Sequence, residues 1–575
     1  MSKPVNLGPW SKGINNTTRA YALPTGSRND PGWACIDALN VDFTDQGFAV
    51  RRSGYSQTQA MLVGHSLATV GDKTLICQAG ELGVITSVNP LNITTLRTGL
   101  SSDRISYAGL AGEVWWSNGT ESGRCNANNT DSPWAVPTPD DIPLIVSGAG
   151  TLFAGKYRVA LTHVMTSGEE SAACEIYEID LAVSGSLVVT LPAAKAGTDY
   201  FRTYCTAANG SVLQHYSDVL ANAVSVNITT QAAGISLDDR AFLVPLPAGD
   251  IVAFHNGRLL SANDGDLYYS KPYNFGLCDP LANRLTLTGA ITVVAPCEGG
   301  VFVCTTEKSY FYAGNDIAEA VVSEALPFGA VIGTAFRHPD ARAVGWFSDD
   351  GFVIGGPDGS VSLPQREKGF SAPTAASGNT WVRSINGETH LVCSLDGTAR
   401  YTKEVSPDFT TARMRYDDDQ TTVCMNLANG ATSRYSNWFF TGTAQIDGDY
   451  YGIDTVGLRL LEGDADETVP IVAVLDVGNI GMADMQICAP EFVYVSGKSS
   501  GKLVIDIHLP NGTVYSYPAR SYNADTIDVQ RHDGMKGLMN KRQSWFSVVI
   551  RNDDGCSMEV AAVKVLLGVS QRRIG

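Results

Sequence analysis

The sequence predicts an all-β chain: a β-propeller core, an inserted fibronectin- or immunoglobulin-like sandwich and a C-terminal β-sandwich. Three observations predict it. Apolar residues come in short runs separated by Gly, Asn, Asp and Pro, and helical periodicity is nearly absent. Turn dipeptides such as Asn256-Gly257 and Asn386-Gly387 sit between those runs, the strongest short-range hairpin signal. The hairpins recur at roughly 40–50 residues, the length of a four-stranded propeller blade.

Bulk properties bound the rest. A chain of 575 residues exceeds what one hydrophobic core can organise, so roughly three or four domains are expected. With 44% hydrophobic and 17% charged residues, global disorder is excluded. The 58 Gly and 25 Pro fit a chain full of turns. There is no apolar run of about 18 residues, so no transmembrane helix is expected. The segment Met1 to Trp10 lacks the basic head and apolar stretch of a signal peptide, which predicts synthesis and assembly in a cytoplasm. The net charge of -18 argues against a clamp on nucleic-acid phosphates. It suits solubility, or a surface past which DNA slides without sticking. Twelve cysteines lie singly between Cys35 and Cys556, without a Cys-x-x-Cys pair or histidines at metal-ligand spacing. They read as buried thiols.

Four segments follow along the chain. Residues 1–136 hold N-terminal strands and the first blades, with hairpins turning at Ala79-Gly80 and Ala111-Gly112. Residues 137–239 break the rhythm with longer alternating strands and have the size of one fibronectin III-like sandwich. Residues 240–462 return to blade spacing, with turns at Asn256-Gly257, Asp349-Asp350, Asp358-Gly359, Asn386-Gly387 and Asp396-Gly397, the last leading into a strand at 399–401. Residues 463–575 form a C-terminal, platform-like sandwich whose hairpins turn at Pro510-Asn511-Gly512 and Asp553-Asp554-Gly555; one short helix is expected at 481–486.

Catalytic signals are poor, and the chain reads as a non-enzyme without cofactor or metal. The eight histidines lie far apart and no Gly-x-Ser-x-Gly elbow occurs. Acidic clusters at Asp349-Asp350, Asp417-Asp418-Asp419, Asp464/Asp466 and Asp553-Asp554 sit in polar turns, where Asp bonds its own backbone. Neither Asp464, Asp466 and Glu467 nor Asp264-Gly265-Asp266 completes a calcium loop. Ser394-Leu-Asp396-Gly397 lacks the rest of a sialidase Asp-box and reads as an ordinary turn. The basic pairs Arg51-Arg52 and Arg572-Arg573 read as solvated or as interface ion pairs, with contact to DNA the less favoured use. Adjacent aromatics such as Trp115-Trp116 and Tyr310-Phe311-Tyr312 face opposite sides of a strand, so packing between blades is their default role.

Several stretches carry a resemblance. Gly8-Pro-Trp-Ser-Lys-Gly-Ile14, Ala20-Tyr-Ala-Leu-Pro24, Ala38-Leu-Asn-Val-Asp42 and Gly47-Phe-Ala-Val-Arg-Arg-Ser-Gly-Tyr55 open the chain. Gly257-Arg-Leu-Leu-Ser-Ala-Asn263 is followed by Leu267-Tyr-Tyr-Ser-Lys-Pro-Tyr-Asn-Phe-Gly276. Then come Gly300 to Gly314, Gly345-Trp-Phe-Ser-Asp-Asp-Gly351, Lys541 to Trp545, Asn552-Asp-Asp-Gly555 and Arg572-Arg573. In this order they resemble the tail nozzle (tail hub, tail tubular protein B-like) proteins of short-tailed bacteriophages. The resemblance implies a virion structural protein assembled in the host cytoplasm as a homohexameric ring. Such a ring docks the tail adaptor and holds a tail fibre, needle or plug. DNA passes through its lumen during ejection without sequence-specific binding, and Asp417, Asp418 and Asp419 are candidate acidic lumen residues. A receptor- or glycan-binding tail propeller is the alternative, and a propeller-type glycoside hydrolase stands behind it.

Overall fold

The computed structural model describes residues 2–18, 23, 32–237, 240–340, 342–397, 420–481, 486–519, 531–534 and 543–573. Within them the secondary structure is almost wholly strand. Seven four-stranded antiparallel sheets follow one another around an axis. Blade 1 comprises Gly64–Val70, Lys73–Gln78, Glu81–Val88 and Leu91–Arg97; blade 2 comprises Ser106–Leu110, Glu113–Ser117, Ser122–Cys125 and Asp131–Ser132. Blade 3 runs Ile251–His255, Arg258–Asn263, Asp266–Tyr269, Arg284–Thr286, and blade 4 Ile291–Cys297, Gly300–Thr305, Ser309–Ala313, Val321–Leu326. Blade 5 is Phe336–Arg337, Val344–Ser348, Gly351–Gly355 and Val361–Ser362; blade 6 is Ser377–Ile385, Glu388–Asp396, Gln420–Asn426 and Thr432–Tyr435. Blade 7 takes three strands, Gly442–Ile446, Asp449–Ile453 and Gly457–Leu460, from late in the chain and its outermost, Ser56–Ala60, from early in it. That exchange closes the ring, and blade 7 packs on blade 1 as each other blade packs on the next. The chain is a seven-bladed β-propeller.

Six of the seven contacts between blades have their own apolar cluster, and the contact of blades 5 and 6 belongs to the cluster shared with the terminal sandwich, which explains why the strands read as apolar runs. Trp116 packs toward blade 1 beside Leu75 and Val84, while Trp115 packs toward blade 3 beside Leu259 and Trp134. In blade 4, Val301 and Val303 face Leu260 and Leu267 of blade 3, and Phe302 and Cys304 face Trp346 of blade 5. Successive side chains on a strand point to opposite faces, and here both faces are interior. All twelve cysteines are free, and eleven of them are buried.

Two sandwiches complete the molecule. Between blades 2 and 3, a sheet of Leu144–Leu152, Gly185–Thr190 and Ser225–Ile228 packs on one of Tyr177–Leu181, Gly155–Val164, Tyr200–Cys205 and Gln214–Leu220. The pair encloses a separate core of Tyr157, Val159, Leu161, Leu187, Val189 and Phe201. Arg124 of blade 2 pairs with Glu169, and Ala172, Leu243 and Leu277 pack together where the insert meets the propeller. The second sandwich is built by both chain ends. Met558–Arg573 pairs with Ser2–Leu7 on one edge and with Gln486–Ser499 on the other. Facing it lie Val474–Gly481, Trp545–Asn552, Leu503–His508 and Val514–Pro518. The short strand Asp37–Leu39 sits between Thr432–Tyr435 and Val474–Gly481, so blade 6 and this sandwich share one nine-stranded sheet.

Two expectations meet the structure differently. The helix at 481–486 is replaced at both of its ends by strand: Gly481 closes Val474–Gly481 and Gln486 opens Gln486–Ser499, while 482–485 lie outside the described residues. Six residues are too few to offset the cost of a helix nucleus. The strand expected at 399–401 also lies outside the described residues.

Candidate functional site: the axial channel

The first strand of every blade lines a central channel of about 1320 Å³. Small side chains such as Ala68, Ala108, Ala253 and Ala335 leave it open, and charged groups cluster at its two mouths. Asp103, Arg104 and Asp250 lie at the mouth where the inner strands begin; Glu298 and Arg337 lie where they end.

Arg104 is the central element of this site. It sits two residues before the inner strand of blade 2, and its root is fixed on blade 1, where the Ile105 amide donates to Ser66 Oγ at 2.9 Å and the Tyr107 hydroxyl donates to Ser66 O at 2.9 Å. Its guanidinium donates from Nη1 to Gly378 O at 2.7 Å and from Nη2 to Gly333 O at 3.0 Å. No carboxylate among the described residues pairs with it. Arg104 keeps surface exposed in the channel, while the protein atoms crowded around it lower its pKa from the ordinary arginine value. At the same mouth, beside blade 2, burial and then the neighbouring Asp103 and Asp264 raise the pKa of Asp250. His255, near the far mouth, donates from Nε2 to Gly314 O (3.2 Å), and burial lowers its pKa.

The charged residues singled out from sequence fall in other places. Asp417, Asp418 and Asp419 lie outside the described residues; the strands flanking that segment pair at Asp396 and Gln420. Arg51 and Arg52 are internal ties. Arg52 is fully buried, pairs with both oxygens of Asp466 at 2.7 Å and stacks on Trp438 at 4.5 Å, and Arg51 pairs with Asp464. The acidic pair read as a polar turn and the basic pair read as solvated or at an interface are therefore each other's partners within one chain. Arg572 and Arg573 end the strand Met558–Arg573. Ser394 is buried within a strand, bonding Thr422 Oγ1 at 3.1 Å. Among the described residues no group of three or more His, Cys, Asp or Glu is placed to hold a metal ion, and no helix is long and apolar enough to cross a membrane. Sequence reasoning missed Arg104 altogether, because a lone arginine in a polar loop carries no local signal.

No family model and no curated protein matches the sequence. Among solved structures the chain is similar to Kluyveromyces lactis Hsv2, at 9% identity over 66% of this chain and 98% of that one, with a TM-score of 0.25. It is similar to apo AztD from Citrobacter koseri at 10% identity, 66% and 86% coverage and a TM-score of 0.28. It is also similar to the extracellular domain of the putative one-component system BT4673 from B. thetaiotaomicron, at 8% identity, 98% coverage of both chains and a TM-score of 0.21. Likenesses at this level say nothing of function, and the propeller assignment rests on the seven closed sheets.

Proposed function

We propose that this propeller protein is a structural component of a short phage tail: a subunit of the distal nozzle ring that docks the tail adaptor and holds a fibre, needle or plug. One observation carries the reading. The stretches that resemble the nozzle family occupy the joints of the fold. Gly8 to Ile14 and Ala38 to Tyr55 lie between blade 6 and the terminal sandwich, where Trp10 and Arg52 are fully buried. Gly257 to Asn263 and Leu267 to Gly276 supply two neighbouring strands of blade 3 and the connection after them. A rigid propeller with a sandwich tying both chain ends suits a ring subunit under mechanical load. A net charge of -18 suits a wall facing DNA. The role is structural, and no residue is assigned a catalytic part.

The test is mass photometry of the purified chain, alone and with the tail adaptor complex of the same phage. A closed ring on the adaptor, formed through a heterologous interface, is the expected result. A chain that stays monomeric and ignores the adaptor moves the reading to a glycan- or receptor-binding propeller, which glycan-array binding would then support.

A further inference from the structure

The partners of Arg104 are fixed by the ring's own arithmetic. With blades packed in the order 1 to 7 and blade 7 against blade 1, the two blades opposite blade 2 are 5 and 6. Gly333 leads into blade 5, and Gly378 belongs to the inner strand of blade 6. Arg104 lies at the joint of blades 1 and 2, and a side chain that reaches from there to blades 5 and 6 spans the mouth. All three residues lie where the inner strands begin, so the crossing is at one mouth. Gly333 is shaped for it: its backbone has φ +80°, and a Cβ there would lie 1.7 Å from Arg104 Nη1. The guanidinium occupies the space a side chain would need.

We propose that Arg104 is a bolt across the propeller axis, closing the channel at this mouth and leaving a chamber open from the other end only. Its planar fork suits the task, since two parallel N–H groups can hold two carbonyls at once. A lysine has no such fixed fork. The two carbonyls come from neighbouring blades, so the bolt also ties the opposite wall of the ring. This inference concerns the single chain and holds or fails independently of the tail reading.

The test uses the full-length chain carrying Ala335→Cys, a channel-lining position two residues beyond Gly333. Labelling is read peptide by peptide by mass spectrometry, with the half-buried Cys556 as internal reference. N-ethylmaleimide and a maleimide joined to a bulky rigid dye are compared. With Arg104 in place, the bulky reagent reaches Cys at 335 only from the far mouth and labels it much more slowly than the small one. Adding Arg104→Ala admits the bulky reagent, and Gly333→Ala does the same by displacing the guanidinium without removing it. Arg104→Lys gives partial protection and keeps the test decisive should the alanine variant fail to fold. Bulky labelling as fast with Arg104 intact as without it overturns the proposal. So does an equally slow bulky reaction after both Arg104→Ala and Gly333→Ala in chains whose circular dichroism is unchanged.

Discussion

At the scale of single residues, the buried charges make opposite contributions and their signs can be separated. The Arg52–Asp466 pair is enclosed, at 0% and 4% side-chain exposure. Breaking one partner leaves the other charged and dry, which costs about 3–5 kcal/mol. Asp466→Asn is expected to lower the urea midpoint accordingly, and a cost below about 1 kcal/mol would mean that water reaches the site. Asp476 behaves in the opposite way. Burial holds its carboxyl above the ordinary range, against the pull of hydrogen bonds from the Gly478 amide and the Ser547 hydroxyl, and Asp37 adds repulsion. With the folded pKa above the unfolded one, its contribution is fully present below the unfolded pKa and is lost as pH rises through the folded value. Asp476→Asn keeps an oxygen for both donors and removes the charge. At neutral pH it should leave the melting temperature unchanged or raise it, and flatten that part of the pH profile. For Asp42 burial alone would raise the pKa, yet Arg383, His390 and Tyr435 outweigh it and hold the carboxyl low. Its contribution is present above the unfolded pKa and is lost as pH falls through the folded one. Asp42→Asn should therefore destabilise at neutral pH, where Asp476→Asn does not.

At the scale of elements, the closure of the ring depends on a strand with no apolar signature. Ser56–Ala60 reads Ser-Gln-Thr-Gln-Ala, and every residue of it is exposed. It acts through backbone pairing with Gly457–Leu460, so its loss should appear as a lost ladder. Gln57→Pro with Thr58→Pro removes two consecutive donors, one of which must face the partner strand. Hydrogen exchange should then show the amides of Gly457–Leu460 losing protection, along with a lower urea midpoint. Unchanged protection would mean that blade 7 is held by its faces alone. This strand also marks the limit of what the sequence makes legible. Hairpins at Asn256-Gly257 and Asn386-Gly387 are readable because the turn demands left-handed backbone at both positions, and the structure has φ of 41° and 81° at the first and 54° and 82° at the second. Blades are readable because doubly buried strands give short runs that are apolar on both faces. The edge strand Ser56–Ala60, the Arg51 and Arg52 ties to residues beyond 460 and the Arg104 bolt are not readable. Each is defined by a partner brought near only by closure of the ring, and nothing in the local pattern announces it. Pro4 in the edge strand Ser2–Leu7 is a partial exception, since proline is tolerated there and blunts pairing with other chains.

At the scale of the whole molecule, the cores divide the chain into two cooperative units, although four segments are visible in sequence. The nine-stranded sheet runs from blade 6 into the terminal sandwich, and one apolar cluster joins Phe347 and Leu391 of the propeller to Ile505, Phe546 and Val565 of the sandwich. The chain ends meet in that sandwich, with Ser2 paired to Gly568, so unfolding it strips the propeller of its closing segment as well. The insert has its own core and meets the propeller through a small apolar contact and a few charged bonds. Units that share a core unfold together, and units joined by a small contact unfold apart. Calorimetry of the intact chain is therefore expected to show two transitions, the smaller one from the insert. Because Ala135 and Leu243 pack in the same cluster at its entry and exit, a short linker can replace residues 138–239. That deletion should abolish the smaller transition and leave the larger one close to its original temperature. A single transition in the intact chain would mean that the insert is part of the propeller's core. A third transition would mean that the shared sheet does not couple blade 6 to the terminal sandwich.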